Sequence, residues 1–204
     1  MVFTGATMTL NEINNKLKST LKPQRYRHSV SVAETAKELA VLYGADEEKA
    51  YFAGLVHDCA KNYSKEELFE LSLKYSIELD DVSKTSWGLI HGYVGAELAK
   101  HEYGICDKDI YDAIYYHTIG KADMPLLTEI IYLADGIEPM RNYAGVDEIR
   151  MVSQTNLYKA LVMYTDATIK YVLKRGFLLH PAAIETRNFY LDKLSNTVDK
   201  QAEQ

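Results

Sequence analysis

The chain has 204 residues and a formal net charge of −6, with 23 Lys and Arg against 29 Asp and Glu. Its 11 Gly and 4 Pro are too few for a many-turn β-sandwich or barrel, and the acidic balance weighs against nucleic acid as a partner, which needs a basic face. Two cysteines, Cys59 and Cys106, make neither a disulfide framework nor a Cys-x-x-Cys metal motif; no membrane span of ~20 apolar residues is present and no basic-then-apolar leader opens the chain, so the expected setting is the reducing cytoplasm.

Met8 reads as an internal start, and residues 1–7 are set apart from the fold as a leading extension. Thr9 with Glu12 makes a capping box for a helix over 9–21. Pro23 suits the first position of a second helix, which runs to Tyr43 and stops at Gly44. On it Val32, Ala36, Leu39, Ala40 and Tyr43 form one apolar stripe. Asp46 caps a third helix to about Lys61, and Ser64 with Glu67 boxes a fourth to about Tyr75. Residues 77–87 read as a connecting loop. A fifth helix covers about Gly88 to Gly104, Asp107 caps a sixth to about His117, and Pro125 opens a seventh that ends near Pro139. A long helix over 154–175 stops at Gly176, and Pro181 starts a last one to about Leu194. No stretch alternates with period two. The expectation is one all-α domain over 1–204, with flexible ends at 1–8 and 196–204.

Six histidines punctuate these helices. His57 continues the small apolar stripe Ala50, Ala53, Gly54, and Asp58 continues Tyr51, Gly54, Leu55. His91 shares a face with Gly95, Leu98 and Ala99, and His117 with Ile110, Ala113 and Ile114. Asp135 shares one with Thr128, Ile131 and Tyr132, and His28 begins the apolar face of the second helix. An unpaired carboxylate costs several kcal/mol to bury. Two inward aspartates and four inward histidines are therefore explained together by a shared metal site: His28, His57, Asp58, His91, His117 and Asp135. Six N and O ligands fill one octahedral ion, or two ions sharing a bridging carboxylate, for which Asp58 is placed. The donor types suit iron, manganese or zinc. His101, near a helix end, and His180, before Pro181, read as structural.

The strings around these residues carry a resemblance. Arg25-Tyr26-Arg27-His28-Ser29, His57-Asp58-Cys59-Ala60-Lys61, Tyr116-His117-Thr118-Ile119-Gly120 and Tyr132 through Arg141 resemble the YqeK family of HD-domain metal-dependent phosphohydrolases over about residues 10–190. His28, His57-Asp58 and Asp135 match the H…HD…D signature, and His91 with His117 matches the added pair of dinuclear members. The resemblance implies an HD-domain helical bundle, a di-iron-type centre and symmetrical bis(5′-nucleosyl)-tetraphosphatase activity, diadenosine tetraphosphate giving two ADP.

On this reading His57 and Asp58 take part in catalysis by holding ions that activate a water, with Lys61 beside them. Substrate contacts are expected from Arg27, Lys61, Arg141, His117 and Thr118, since cations next to the ligands oppose the chain's own acidity at a polyphosphate. Glu138 is placed to orient a ligand histidine or Arg141. The partner is a small nucleotide, with an ADP- or GDP-type product able to bind, and no membrane is expected. The tyrosine-rich stripe of 157–172 suits a homodimer interface as well as a core. The competing readings keep the metal and change the substrate (guanosine tetraphosphate, a deoxynucleotide or a cyclic dinucleotide), or make the chain a non-catalytic metal-stabilised nucleotide-binding module.

Overall fold

The computed structural model describes residues 8–202; of the flexible ends expected at 1–8 and 196–204, residues 1–7 and 203–204 lie outside the described residues. Among the described residues eleven helices follow one another: α1 (Leu10–Thr20), α2 (Pro23–Tyr43), α3 (Glu47–Val56), α4 (Lys65–Lys74), α5 (Asp81–Thr85), α6 (Ile90–Glu102), α7 (Lys108–Tyr116), α8 (Leu126–Ile137), α9 (Val146–Ser153), α10 (Leu157–Lys174) and α11 (Pro181–Ala202). A 3₁₀ turn, Trp87–Leu89, precedes α6, and the described residues contain no strand. Among the described residues no helix is long and apolar enough to cross a membrane.

The helix starts follow local chemistry. Thr9 and Ser64 each close a capping box with a glutamate three residues on, and Asp46 and Asp107 accept backbone N–H bonds at the starts of α3 and α7. Gly44 ends α2 in the left-handed conformation at φ 73°. The core sits where α2, α3 and α7, and also α9 and α10, pack around α8. That helix is apolar on nearly every side: Ile130, Ile131, Leu133 and Ala134 are all fully buried, as expected of a central helix. Two glycines set close approaches. A Cβ on Gly54 would lie 2.7 Å from Ala33 Cα, so only glycine lets α3 meet α2 there. A Cβ on Gly136 would lie 2.1 Å from the Tyr164 ring, which packs against α8 at that point.

Four elements differ from expectation. The third helix ends at Val56, five residues early, because His57 Nδ1 takes the Gly54 carbonyl at 2.6 Å and the chain then tightens into turns closed by Cys59 N to Val56 O and Lys61 N to Asp58 O. The 77–87 loop contains α5, whose first turn Asp80 caps. The helix α9 falls where none was expected. Arg150 explains it: its guanidinium donates to the carbonyls of Ile137, Glu138 and Arg141 at 2.7–2.8 Å, tying α9 to the C-terminal end of α8. Finally α11 runs to Ala202 rather than Leu194, through a stretch with neither Gly nor Pro to stop it.

Candidate metal centre and phosphate cleft

All six expected ligands converge. His28 comes from the second turn of α2, His57 and Asp58 from the turn that ends α3, His91 from the first turn of α6, His117 from the cap of α7 and Asp135 from the last turn of α8. Each of these except Asp135 is nearly or fully buried. Asp58 stands in the middle. Its Oδ2 lies 3.5 Å from His57 Nε2 and 3.7 Å from His28 Nε2, while its Oδ1 lies 3.0 Å from His91 Nε2 and 3.7 Å from His117 Nε2. Asp135 Oδ1 faces His28 Nε2 at 2.9 Å and His57 Nε2 at 3.8 Å. Three overlapping groups of these side chains bring ligand atoms within 4.8 Å of one another: His28, His57, Asp58; His57, His117, Asp135; and Asp58, His91, His117.

The donor set fits a cation. His57, His91 and His117 each aim Nδ1 at the backbone carbonyl three residues back, Gly54, Gly88 and Ile114, at 2.5–2.7 Å. A carbonyl only accepts, so each Nδ1 carries the proton and each Nε2 presents a lone pair. These lone pairs meet one another and the Asp58 oxygens: His91 and His117 Nε2 stand 3.1 Å apart, and the buried His57 Nε2 has no hydrogen-bond partner. Acceptors turned toward acceptors are stable only around positive charge. His28 completes the pattern through a carboxylate, its Nδ1 lying 3.0 Å from Glu138 Oε1. Glu138 is itself buried and accepts from Ser31 Oγ and Met140 N, both at 2.7 Å.

Burial works to raise the Asp58 carboxyl, but His57 and then the His117 and His91 contacts outweigh it and hold it well below the usual carboxylate range. Asp135 is likewise held well below that range, against its burial, by His28 and Arg141. Burial, helped by Lys61, drives His91 down to about 4, so the ring is neutral near pH 7, as a ligand must be. Burial also lowers Lys61.

A cleft of about 420 Å³ opens onto this centre. Lys22, Arg25, Lys61 and Arg141 line it, against a single acidic residue, Glu138. Lys61 Nζ lies 3.2 Å from His91 Nε2, and Arg141 bonds the Asp135 carboxylate and donates to its carbonyl at 2.6 Å. Arg25, which adjacency in sequence did not single out, reaches Asp58 Oδ2 at 2.6 Å. It precedes His28 by three residues and so shares its helix face, the signal that finds it. Arg27 is exposed and is not among the cleft-lining residues. Thr118 Oγ1 is buried without a hydrogen-bond partner and points at Gly92, beside His91. His101, paired with Glu97 and stacked on Tyr75, and His180, paired with Asp80, are remote from the centre.

A helical fold that turns four histidines and two aspartates inward under a cationic cleft has the donor set of a metal-site protein that meets anionic substrates. The model of the HD domain matches residues 25–140. The chain is 41% identical over 175 residues to the symmetrical bis(5′-nucleosyl)-tetraphosphatase of Bacillus subtilis (strain 168), covering 85% of this chain and 92% of that one. It is 34% identical over 185 residues to the protein of the same name from Staphylococcus aureus, covering 90% and 95%. The crystal structure of a predicted HD superfamily hydrolase involved in NAD metabolism from Clostridium acetobutylicum superposes with a TM-score of 0.89 at 43% identity, over 92% of this chain and all of that one. The chain belongs to the HD-domain family.

Proposed function

We propose that this chain is a dinuclear-metal phosphohydrolase that cleaves a dinucleoside tetraphosphate symmetrically, diadenosine tetraphosphate giving two ADP, in the cytoplasm. The observation that carries the reading is Asp58, whose two oxygens face two different pairs of imidazoles at the floor of a cleft lined by four cations. The names of the B. subtilis and S. aureus relatives support the substrate. His28, His57, Asp58 and Asp135 would hold one ion, and Asp58, His91 and His117 the other, iron being the first choice and manganese or zinc the alternatives. Two ions bound there supply a water activated near neutral pH and positive charge on the reacting phosphoryl oxygens.

The protein's own groups do the rest. The backbone carbonyls of Gly54, Gly88 and Ile114 keep each Nε2 deprotonated and each ring fixed. Arg141 and Arg25, held on Asp135 and Asp58, present their remaining N–H groups to phosphate oxygens in a fixed orientation. Lys61 adds a point charge next to His91. Phosphoryl transfer asks for little more than such positioning and charge stabilisation.

The test is a product profile. Protein loaded with iron, manganese or zinc should release ADP as the sole nucleotide product from diadenosine tetraphosphate. AMP plus ATP, or no turnover beside rapid hydrolysis of guanosine tetraphosphate, a deoxynucleotide or a cyclic dinucleotide, would overturn it.

A further inference from the structure

A second groove, of about 730 Å³, lies between α10 and the 140–149 segment, and Arg141 lines both it and the phosphate cleft. The two cavities therefore meet at the residue that grips Asp135. Their chemistry differs. The cleft is lined by four cations and one carboxylate, whereas the groove is lined chiefly by Tyr143, Ile149, Met163, Tyr164 and Tyr171, with Glu148 and Asp166 set against Lys170, Lys174 and the shared Arg141. Tyr143 donates from its hydroxyl to Gly136 O at 3.0 Å, which anchors its ring at the groove wall. Tyr171 is 59% exposed on α10. Asp166 is taken up by Arg187, while Glu148 makes no ion pair among the described residues.

We infer that this groove is a nucleoside subsite: it takes the base and ribose of one nucleoside diphosphate half of the substrate, whose phosphates lie at the metal centre on the far side of Arg141. The inference rests on the reaction proposed above. An uncharged, flat, amphipathic group suits tyrosine faces and a largely apolar wall, and base–aromatic stacking is tolerant of which base is bound. The free carboxylate of Glu148 is the acceptor that ribose hydroxyls require. A polyphosphate chain is served better by the cleft, whose four cations face one carboxylate, than by this largely aromatic and aliphatic groove, where Lys170 and Lys174 stand beside Glu148 and Asp166. With its scissile phosphate at the centre, a symmetrical substrate then runs one half into the groove and the other along the cleft past Lys22 and Lys61.

Calorimetric titration of the metal-loaded protein with ADP and, separately, with pyrophosphate tests this. Two variants at exposed positions keep folding intact: Tyr171→Ala removes a ring, and Ala144→Trp fills the groove from its rim. Each should weaken ADP binding about tenfold, the loss expected of one base stack, and leave pyrophosphate binding unchanged. Unchanged ADP affinity in both variants, or an equal fall for pyrophosphate, would overturn the subsite. So would a change in sedimentation mass with Tyr171→Ala, which would make the groove an interface between two copies. If the wild type releases no ADP from diadenosine tetraphosphate yet the variants lose ADP binding alone, the reaction falls and the nucleoside groove stands.

Discussion

The metal centre and the α10–α11 hairpin both bury polar groups, and they do so in opposite ways. The hairpin pairs donors with acceptors along helix flanks: Tyr190 donates to the buried Glu129 at 2.8 Å and accepts from Met124 N, and Thr165 donates to Leu161 O. Burial raises the Glu129 carboxyl, the ordinary response of a buried acid met by a single neutral donor. The centre is built from helix ends, where unused carbonyls take up the Nδ1 protons, and it turns lone pairs toward lone pairs around Asp58. Burial alone therefore does not mark a site. A buried carboxylate ringed by imidazole lone pairs that cannot donate to it, with one arginine on a single oxygen, is the mark of one, because a cation is what completes such a ring of acceptors.

The sharpest way to break this contrast is to compare the two buried acids directly. Asp58→Ala should abolish binding of both ions and cost turnover more than the 10–100-fold expected of an outer-sphere carboxylate, while Glu129→Gln leaves turnover intact; elemental analysis with a product assay reads both. Retention of two ions by Asp58→Ala would remove the bridge. One step out, Glu138→Gln keeps the acceptors for Ser31 and Met140 N but withdraws the charge behind His28, and should lower metal affinity about 10–100-fold in a chelator competition. On the hairpin side, Tyr190→Phe leaves the Glu129 carboxyl without its donor and Met124 N without its acceptor, and should cost about 1–3 kcal/mol in chemical denaturation with no change in metal content.

The smallest effect expected is on the pH dependence of stability. Asp80 caps α5 and holds His180 ahead of α11 at 3.2 Å. Its burial acts to raise it, but the Ser83 hydroxyl and amide, with His180, bring it down from 3.8 to about 2. The folded value lies below the unfolded one, so the contribution is complete above 3.8 and is lost as pH falls toward 2. Asp80→Asn keeps a capping oxygen without the titration, and should flatten the pH dependence of the melting temperature between those values.

Helix starts were legible because a cap is a bond across three residues: Thr9 with Glu12, Ser64 with Glu67, and the Asp46 and Asp107 caps all stand where sequence places them. The inward aspect of the six metal-ligand candidates was legible for the same local reason, since an apolar stripe declares which way its polar member points. Helices α5 and α9, of five and eight residues, were not, being too short to show a period. The end of α3 was hidden because it depends on the ring of His57 competing for the Gly54 carbonyl.

By itself, then, the sequence determined the helical class, most helix boundaries and the identity of the inward-facing histidines and aspartates, all of which follow from interactions within one or two turns. Only the tertiary structure decided how Asp58 divides its oxygens between two pairs of imidazoles, that Arg25 rather than its neighbour reaches that carboxylate, and that Arg150 ties α9 to the end of α8. Apart from the adjacent His57 and Asp58, those facts join residues 9 to 59 positions apart, and their geometry depends on close approaches such as those that Gly54 and Gly136 allow, a matter of packing that no local rule contains.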